Sequence, residues 1–331
     1  MARRKARVPQ GKKIQPAVKT LQFTVPDGSS YIDLSQCASL VNRRFYRQGL
    51  NWAVAGFTFF TAADASGSIG VSKIPDTWVA SNAWEKSFRT WTKMNNQALE
   101  ETESVKPKFL DFKVFMDAGH HTAGVAANLI PVDTLGLTYT TGEWEMSKVV
   151  QPRTDGTDGV YNRELIWTGA SYPGAGASGL NAVSLIEGYA ASRGLPDILD
   201  PNTPDDAADI DGSTPENWMS GLFNEGTTQD SSIIGDMIDE NNQAPYPFEN
   251  DGTATDTQYP GGANQAPGPQ AHMVALVSPT TVGGRTNIEG GNFQGGLVKV
   301  TNNTGDLAMT MFIHLVPGHH RGYMCQPMQD V

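Results

Sequence analysis

Leu307 to Val316, LAMTMFIHLV, decides the fold. Leu307, Met309, Met311, Ile313 and Leu315 take every second position and alternate with Ala308, Thr310, Phe312, His314 and Val316. Successive side chains of an extended chain point to opposite faces, so this period of two describes a strand with one face deep in a core. The same alternation joins Leu110, Phe112, Val114 and Met116, and also Leu21, Phe23 and Val25. Further strands are expected near 51–61, 69–74, 143–151, 160–168, 271–278 and 295–301. Turn signals such as Asp27-Gly28 and Asn303-Thr304-Gly305 separate some of them. The pattern predicts an antiparallel β architecture of eight or nine strands.

Helices are few. Trp84, Phe88, Trp91 and Asn95 recur at helical spacing, with Asn82 and Glu85 placed as cap and third residue, and this helix is expected to lie flat on the sheet. Thr214-Pro215 opens a second helix around Trp218, and Leu180 to Ser192 reads as a third. Residues 194–270 are dominated by Asp, Asn, Pro, Gly and Thr and read as long connecting loops; no internal repeat stands out. The fold class expected is all-β: a single eight-stranded antiparallel jelly roll with a few helices in long inter-strand loops. Such a core is complete without the insertions.

Of the 331 residues, 39% are hydrophobic, enough for a sizeable core. The longest apolar stretch, Trp52 to Phe60, is far too short to cross a bilayer. No apolar segment follows the charged N-terminal residues, so the chain reads as soluble and made in the cytosol. Cys37 and Cys325 fit small buried hydrophobes in a reducing compartment rather than a disulfide framework.

Charge is divided sharply. Arg3, Arg4, Lys5, Arg7, Lys12, Lys13 and Lys19 fall among the first twenty residues with no acid between them, although the chain as a whole carries −11. With Pro9, Gly11 and Pro16 in the block, this arm cannot bury apolar surface and suits a polyanion, which it would hold by releasing counterions. It has no aromatic residue, so it would bind phosphate without reading sequence. The same clusters also fit a nuclear import signal or a solvated tail. By contrast, residues 194–284 contain no Lys or Arg and fifteen Asp or Glu, which excludes that region from a nucleic-acid face.

Catalytic motifs are weak. Gly174, Gly176 and Gly179 spell G-x-G-x-x-G, with a helix-like run behind them and Asp197 at the distance of a ribose-binding acid. The fingerprint needs a strand running straight into its first glycine, whereas Thr168 to Pro173 intervene. Gly169 to Pro173 approaches a nucleophile elbow around Ser171, with proline where the second glycine belongs. Asp209, Asp211 and Gly212 suggest a calcium loop, but Ala207 and Trp218 occupy its anchor positions. His120-His121 and His319-His320 each follow a glycine at a predicted strand end; adjacent residues of a strand face apart, so these read as exposed loop histidines rather than a metal site.

The order of basic arm, strand, NRRFYRQG (Asn42 to Gly49), long strand, Trp-rich helix, acidic loops and two terminal strands resembles capsid proteins of small circular Rep-encoding single-stranded DNA viruses (CRESS DNA viruses). The run from Gly295 through LVKVTNNTGDLAMTMFIHLVPGHHRGYMCQPM is similar to the last strand pair and tail of unclassified marine members of that group. The likeness covers residues 18–116 and 271–331 and is uninformative from about 155 to 270.

The resemblance implies a flexible arm at 1–19 and a capsid domain at 20–331 whose acidic, loop-rich insertion spans about 155–270. It implies assembly of identical subunits into a closed icosahedral shell, a virion, around single-stranded DNA. It implies no catalysis, no cofactor and no membrane; the sequence names no receptor. Nuclear import and genome contact carry over to Arg3, Arg4, Lys5, Arg7, Lys12 and Lys13. This arm is modestly charged beside those of many relatives: about sixty copies of seven cations would neutralise hundreds of phosphates, on the order of 400. Arg43, Arg44 and Arg47, interleaved with Phe45 and Tyr46, are the second candidate contact, offering both charge and rings. Those rings equally suit the core or a subunit contact. Two other readings stay open: a lectin-like jelly-roll module with calcium in its acidic loops, and a dinucleotide-binding enzyme using residues 174–179.

Overall fold

The computed structural model describes residues 16–100, 111–152, 159–171, 174–193, 268–305 and 308–331. In chain order its elements are β1 (Thr20–Val25), β2 (Gly28–Asp33), α1 (Leu34–Asn42), β3 (Leu50–Phe60), β4 (Gly67–Lys73), α2 (Trp78–Leu99), α3 (Ala118–Ala123), β5 (Lys148–Pro152), β6 (Val160–Ile166), β7 (Asn181–Ser184), α4 (Leu185–Arg193), β8 (Gln270–Val277), β9 (Arg285–Phe293), β10 (Leu297–Asn303), β11 (Met309–Leu315), β12 (Pro317–Gly318), β13 (Gly322–Tyr323) and β14 (Cys325–Pro327). The protein is mostly β-sheet.

Two antiparallel sheets share one core. The first runs β1-β11-β3, with β9 on the far edge of β3; the second runs β2-β10-β4-β8. Apart from the long passage between β4 and β8, each step along these eight strands changes sheet. The first step is tight because Gly28, at φ +85°, takes a backbone conformation that a side chain would strain, and nothing crowds it. Met309, Met311, Ile313 and Leu315 of β11 are all buried while Thr310, Phe312 and His314 are less so, as the alternation predicts. They meet Phe23 of β1, Phe57 and Phe59 of β3, and Val71 and Val300 of the opposite sheet in one cluster. Removing each such side chain from water is worth about 1.5–3 kcal/mol.

β3 keeps its apolar residues inward across eleven positions by a change of phase. Trp52 and Val54 point in, then Phe57 and Phe59 do, because Val54 pairs with Leu315 and Gly56 with His314, leaving Ala55 as a bulge. Where β11 departs, β14 takes over its edge of β3, pairing Cys325 with Trp52.

A third, small sheet, β5-β6-β7, lies in the passage between β4 and β8. It corrects several expectations. The strands foreseen at 143–151 and 160–168 become β5 and β6 here and belong to neither main sheet, and β7 is parallel to β6. The passage that holds this sheet begins just after β4, at Ile74. Phe112 to Met116 is not a strand: Phe115 makes one isolated bridge with Ile166. The segment is buried on both faces, Phe112, Val114 and Met116 in one cluster and Phe115 in another, which mimics strand periodicity. Leu180 to Ser192 divides into β7 and α4.

The Trp-rich helix α2 starts at Trp78, earlier than Asn82; the Thr77 hydroxyl accepts from the Ala80 N–H at 3.4 Å, and Glu85 pairs instead with Arg89 at 2.7 Å. Rather than lying flat on a main sheet, it packs on α4 and β5, with Trp84 and Trp91 in a second core beside Trp167 and Leu185. The expected helix around Trp218 lies outside the described residues.

A buried polar network ties this insertion to the main sheets. Asp33 caps α1: its Oδ1 accepts from the Ser35 and Gln36 N–H groups at 2.9 and 3.2 Å, and its Oδ2 accepts from Gln48 Nε2 and Trp144 Nε1 at 3.1 and 3.2 Å. Gln36 Oε1 accepts from Asn128, whose Oδ1 lies 2.7 Å from His120 Nε2. His120 Nδ1 accepts the Met116 N–H at 3.1 Å, which leaves Nε2 as the protonated nitrogen of a neutral ring. Tyr31 stacks on that ring at 4.6 Å, and Asp117, which caps α3, pairs with Lys299 at 3.0 Å.

Candidate nucleic-acid interface

The chain enters β1 through a clamp. The Val18 N–H donates to Asn42 Oδ1 at 3.0 Å and the Tyr323 hydroxyl donates to the Val18 carbonyl at 2.6 Å. Asn42 Nδ2, at the end of α1, reaches Tyr323 Oη at 2.7 Å and the Ala38 carbonyl at 2.8 Å. The Lys19 ammonium donates to the Gly322 carbonyl and sits 4.5 Å above the Tyr323 ring. Lys19 is thus a strut of this clamp as well as the last cation of the arm, and burial draws its pKa down. Arg3, Arg4, Lys5, Arg7, Lys12 and Lys13 lie outside the described residues.

The arm root stands against the second basic cluster, which the sequence did not disclose. Arg44 Nη1 donates to the Pro16 carbonyl at 3.3 Å. Arg43, Arg44 and Arg47 are all exposed, and no carboxylate lies within ion-pair distance of them among the described residues. The two rings between them part company: Phe45 is 49% exposed, whereas Tyr46 is buried against Trp52 and Tyr323. Tyr46 thus takes the core position foreseen as one alternative, and Phe45 does not.

Arg321 joins the cluster from the far end of the chain. Its guanidinium donates to the Phe45 carbonyl, and the Tyr46 hydroxyl donates to the Arg321 carbonyl at 3.0 Å. Arg43 and Arg321, at φ 52° and 50°, are the two non-glycine residues with left-handed backbone among those described. Each carries strain of about 1–2 kcal/mol. The groups beneath stay uncharged at neutral pH: burial pushes the Tyr323 hydroxyl and the Cys325 thiol each up to about 12 and raises Tyr46. His320, partly buried and beside Arg321, is held below its ordinary pKa, by burial first and by that charge second.

Other candidate residues fall elsewhere. His120 and His121 are buried, contrary to the exposed loop foreseen, because α3 turns both inward; His319 is exposed. His121 Nε2 lies 3.0 Å from Glu164, which also accepts from the Ser178 hydroxyl at 2.8 Å. Among the described residues no three His, Cys, Asp or Glu side chains gather as a metal site. The glycine loop leads into β7, and the helix begins only at Leu185. A Cβ at Gly176 would come 2.6 Å from the His121 ring, so that glycine serves close packing. Ser171 Oγ accepts the Ser184 N–H at 3.1 Å, and its own N–H donates to Glu187 at 2.6 Å. Asp197 and the calcium-like stretch lie outside the described residues. No helix among the described residues is long and apolar enough to cross a membrane.

No family model matches the chain, and neither a curated protein nor a solved structure matches it.

Proposed function

We propose that this protein is the shell subunit of a CRESS DNA-type virus, a jelly roll whose identical copies close into an icosahedral particle of about sixty around single-stranded DNA. Strand order is the observation that carries the fold half of this reading. Numbering the eight long strands of the two main sheets in chain order, the pairings run 1-8-3-6 and 2-7-4-5. Two nested Greek keys folded on one core produce that order. Its long insertion sits between the fourth and fifth strands, which still pair antiparallel from Gly67 with Val277 to Lys73 with Gln270, so the core ladder closes around it.

The genome half rests on charge. Arg43, Arg44, Arg47 and Arg321 form an uncompensated positive surface at the point where the arm joins the body. Six further cations precede the clamp in the sequence of a chain whose net charge is −11. A soluble lectin or a dehydrogenase has no physical need of such a face, whereas a container for a polyanion does.

Deleting residues 2–15, which leaves the Pro16–Lys19 clamp intact, is expected to preserve folding and particle formation while lowering the DNA content of purified particles. Electron microscopy for the shell and the absorbance ratio of nuclease-treated particles for their content check this. Full and empty particles in unchanged proportion would remove the role given to the arm.

A further inference from the structure

We propose that the groove between Phe45, α2 and the β12–β13 hairpin is a subsite for one unstacked base of a DNA strand, with Arg47 and Arg321 holding the flanking phosphates. This rests on the reading of the chain as a DNA-packing subunit and adds to it a defined contact. The groove has a volume of about 420 Å³, within the range of small-molecule pockets.

Its walls suit a flat, apolar-faced ligand. Trp84 and Phe112, 2% and 3% exposed, form the floor, and Phe88 stacks on Trp84 at 5.2 Å and 12°. Gly49 lets the backbone come this close, since a Cβ there would lie 2.7 Å from the Trp84 ring. Phe45, half exposed, stands at the rim as a platform that a base can cover.

Charge selects the occupant. Arg47, His320 and Arg321 line the groove, and among the described residues no carboxylate does. An apolar peptide would leave the two guanidiniums unmatched, whereas a nucleotide supplies ring and phosphate together. Arg321 is also held in place, in a strained backbone conformation, by its bond to the Phe45 carbonyl.

Fluorescence anisotropy of the full chain with a short oligothymidylate, and with an abasic strand of equal length and charge, tests this. The oligothymidylate is expected to bind about ten-fold tighter than the abasic strand. Phe45→Ala should bring the two to equal affinity, and Phe45→Tyr should keep the difference; neither should change binding of the abasic strand. Tight, equal binding of both strands by the unaltered protein would overturn the subsite and leave the basic face standing. Failure to bind either strand would overturn the subsite together with the DNA-packing reading.

Discussion

Replacing Arg43, Arg44 and Arg47 together by alanine is expected to weaken binding to single-stranded DNA about ten- to one-hundred-fold near physiological salt. All three are exposed, and none is neutralised by a carboxylate among the described residues, so their full charge is available to phosphate. Each phosphate contact on a single strand adds about 0.7 to the slope of log affinity against log salt, so losing three flattens it by about two. Stability should change little, because the side chains that anchor this segment are the alternate ones: Tyr46 packs on Trp52, and Gln48 bonds Asp33 and the backbone of Val114. Anisotropy titrations over a salt series, beside a urea unfolding curve, read both quantities. An unchanged slope would mean that these arginines do not face the nucleic acid.

The second large effect is on stability against pH. Burial pushes the Asp33 carboxyl up to about 6 and the His120 imidazole down to about 4, each against the bonds that moderate the shift. For Asp33 the folded state binds its proton more tightly than the unfolded chain. Its contribution is therefore full below pH 3.8 and is lost as pH rises through 6. For His120 the unfolded chain binds the proton more tightly, so its contribution is present above pH 6.5 and is lost as pH falls through 4. Each amounts to about 3 kcal/mol, and between about pH 4 and 6 the two nearly cancel.

Single variants should unmask them. Relative to the unaltered protein, His120→Gln should lose stability as pH rises across that window, and Asp33→Asn should gain it, each by about 1.4 kcal/mol per pH unit. Urea midpoints at several pH values, taken as differences, cancel the surface carboxylates. Variants whose curves run parallel to the parent's would show that neither group carries the proton linkage. Asp33→Ala is the harsher change: it strands four buried donors and should cost about 3–5 kcal/mol at neutral pH, and more as pH falls toward 4.

The main sheets were legible where a strand has one dry face and one wetter one. Leu21 to Val25 and Met309 to Leu315 are of that kind, and they pair residue for residue in the fold. β9, with sequence RTNIEGGNF, escaped notice because it buries only Ile288 and Phe293 along its length. α1, although Asp33 and Gln36 stand at capping positions, is only nine residues long, too short to display a clear apolar period. Phe112 to Met116 misled in the opposite way, its even periodicity arising from two cores on either side rather than from a ladder.

The candidate site was half legible. Arg43, Arg44 and Arg47 announce themselves by composition, but Arg321 and Trp84 reach the same place only through tertiary folding. Nothing local in Gly318 to Tyr323 distinguishes a small hairpin bonded to Phe45 from an ordinary surface turn. Lys19 shows the converse: charge grouped it with the arm, and the partners that hold it, Gly322 and Tyr323, lie at the other end of the sequence.

Sedimentation velocity of the purified full chain, followed by both nucleic-acid and protein absorbance before and after nuclease, tests the central claim most directly. A genome-packing shell predicts one sharp boundary of about 2 MDa, the mass of about sixty copies of 35.6 kDa, with nucleic-acid absorbance that survives nuclease. A boundary near the mass of a single chain, free of nucleic acid, would contradict it.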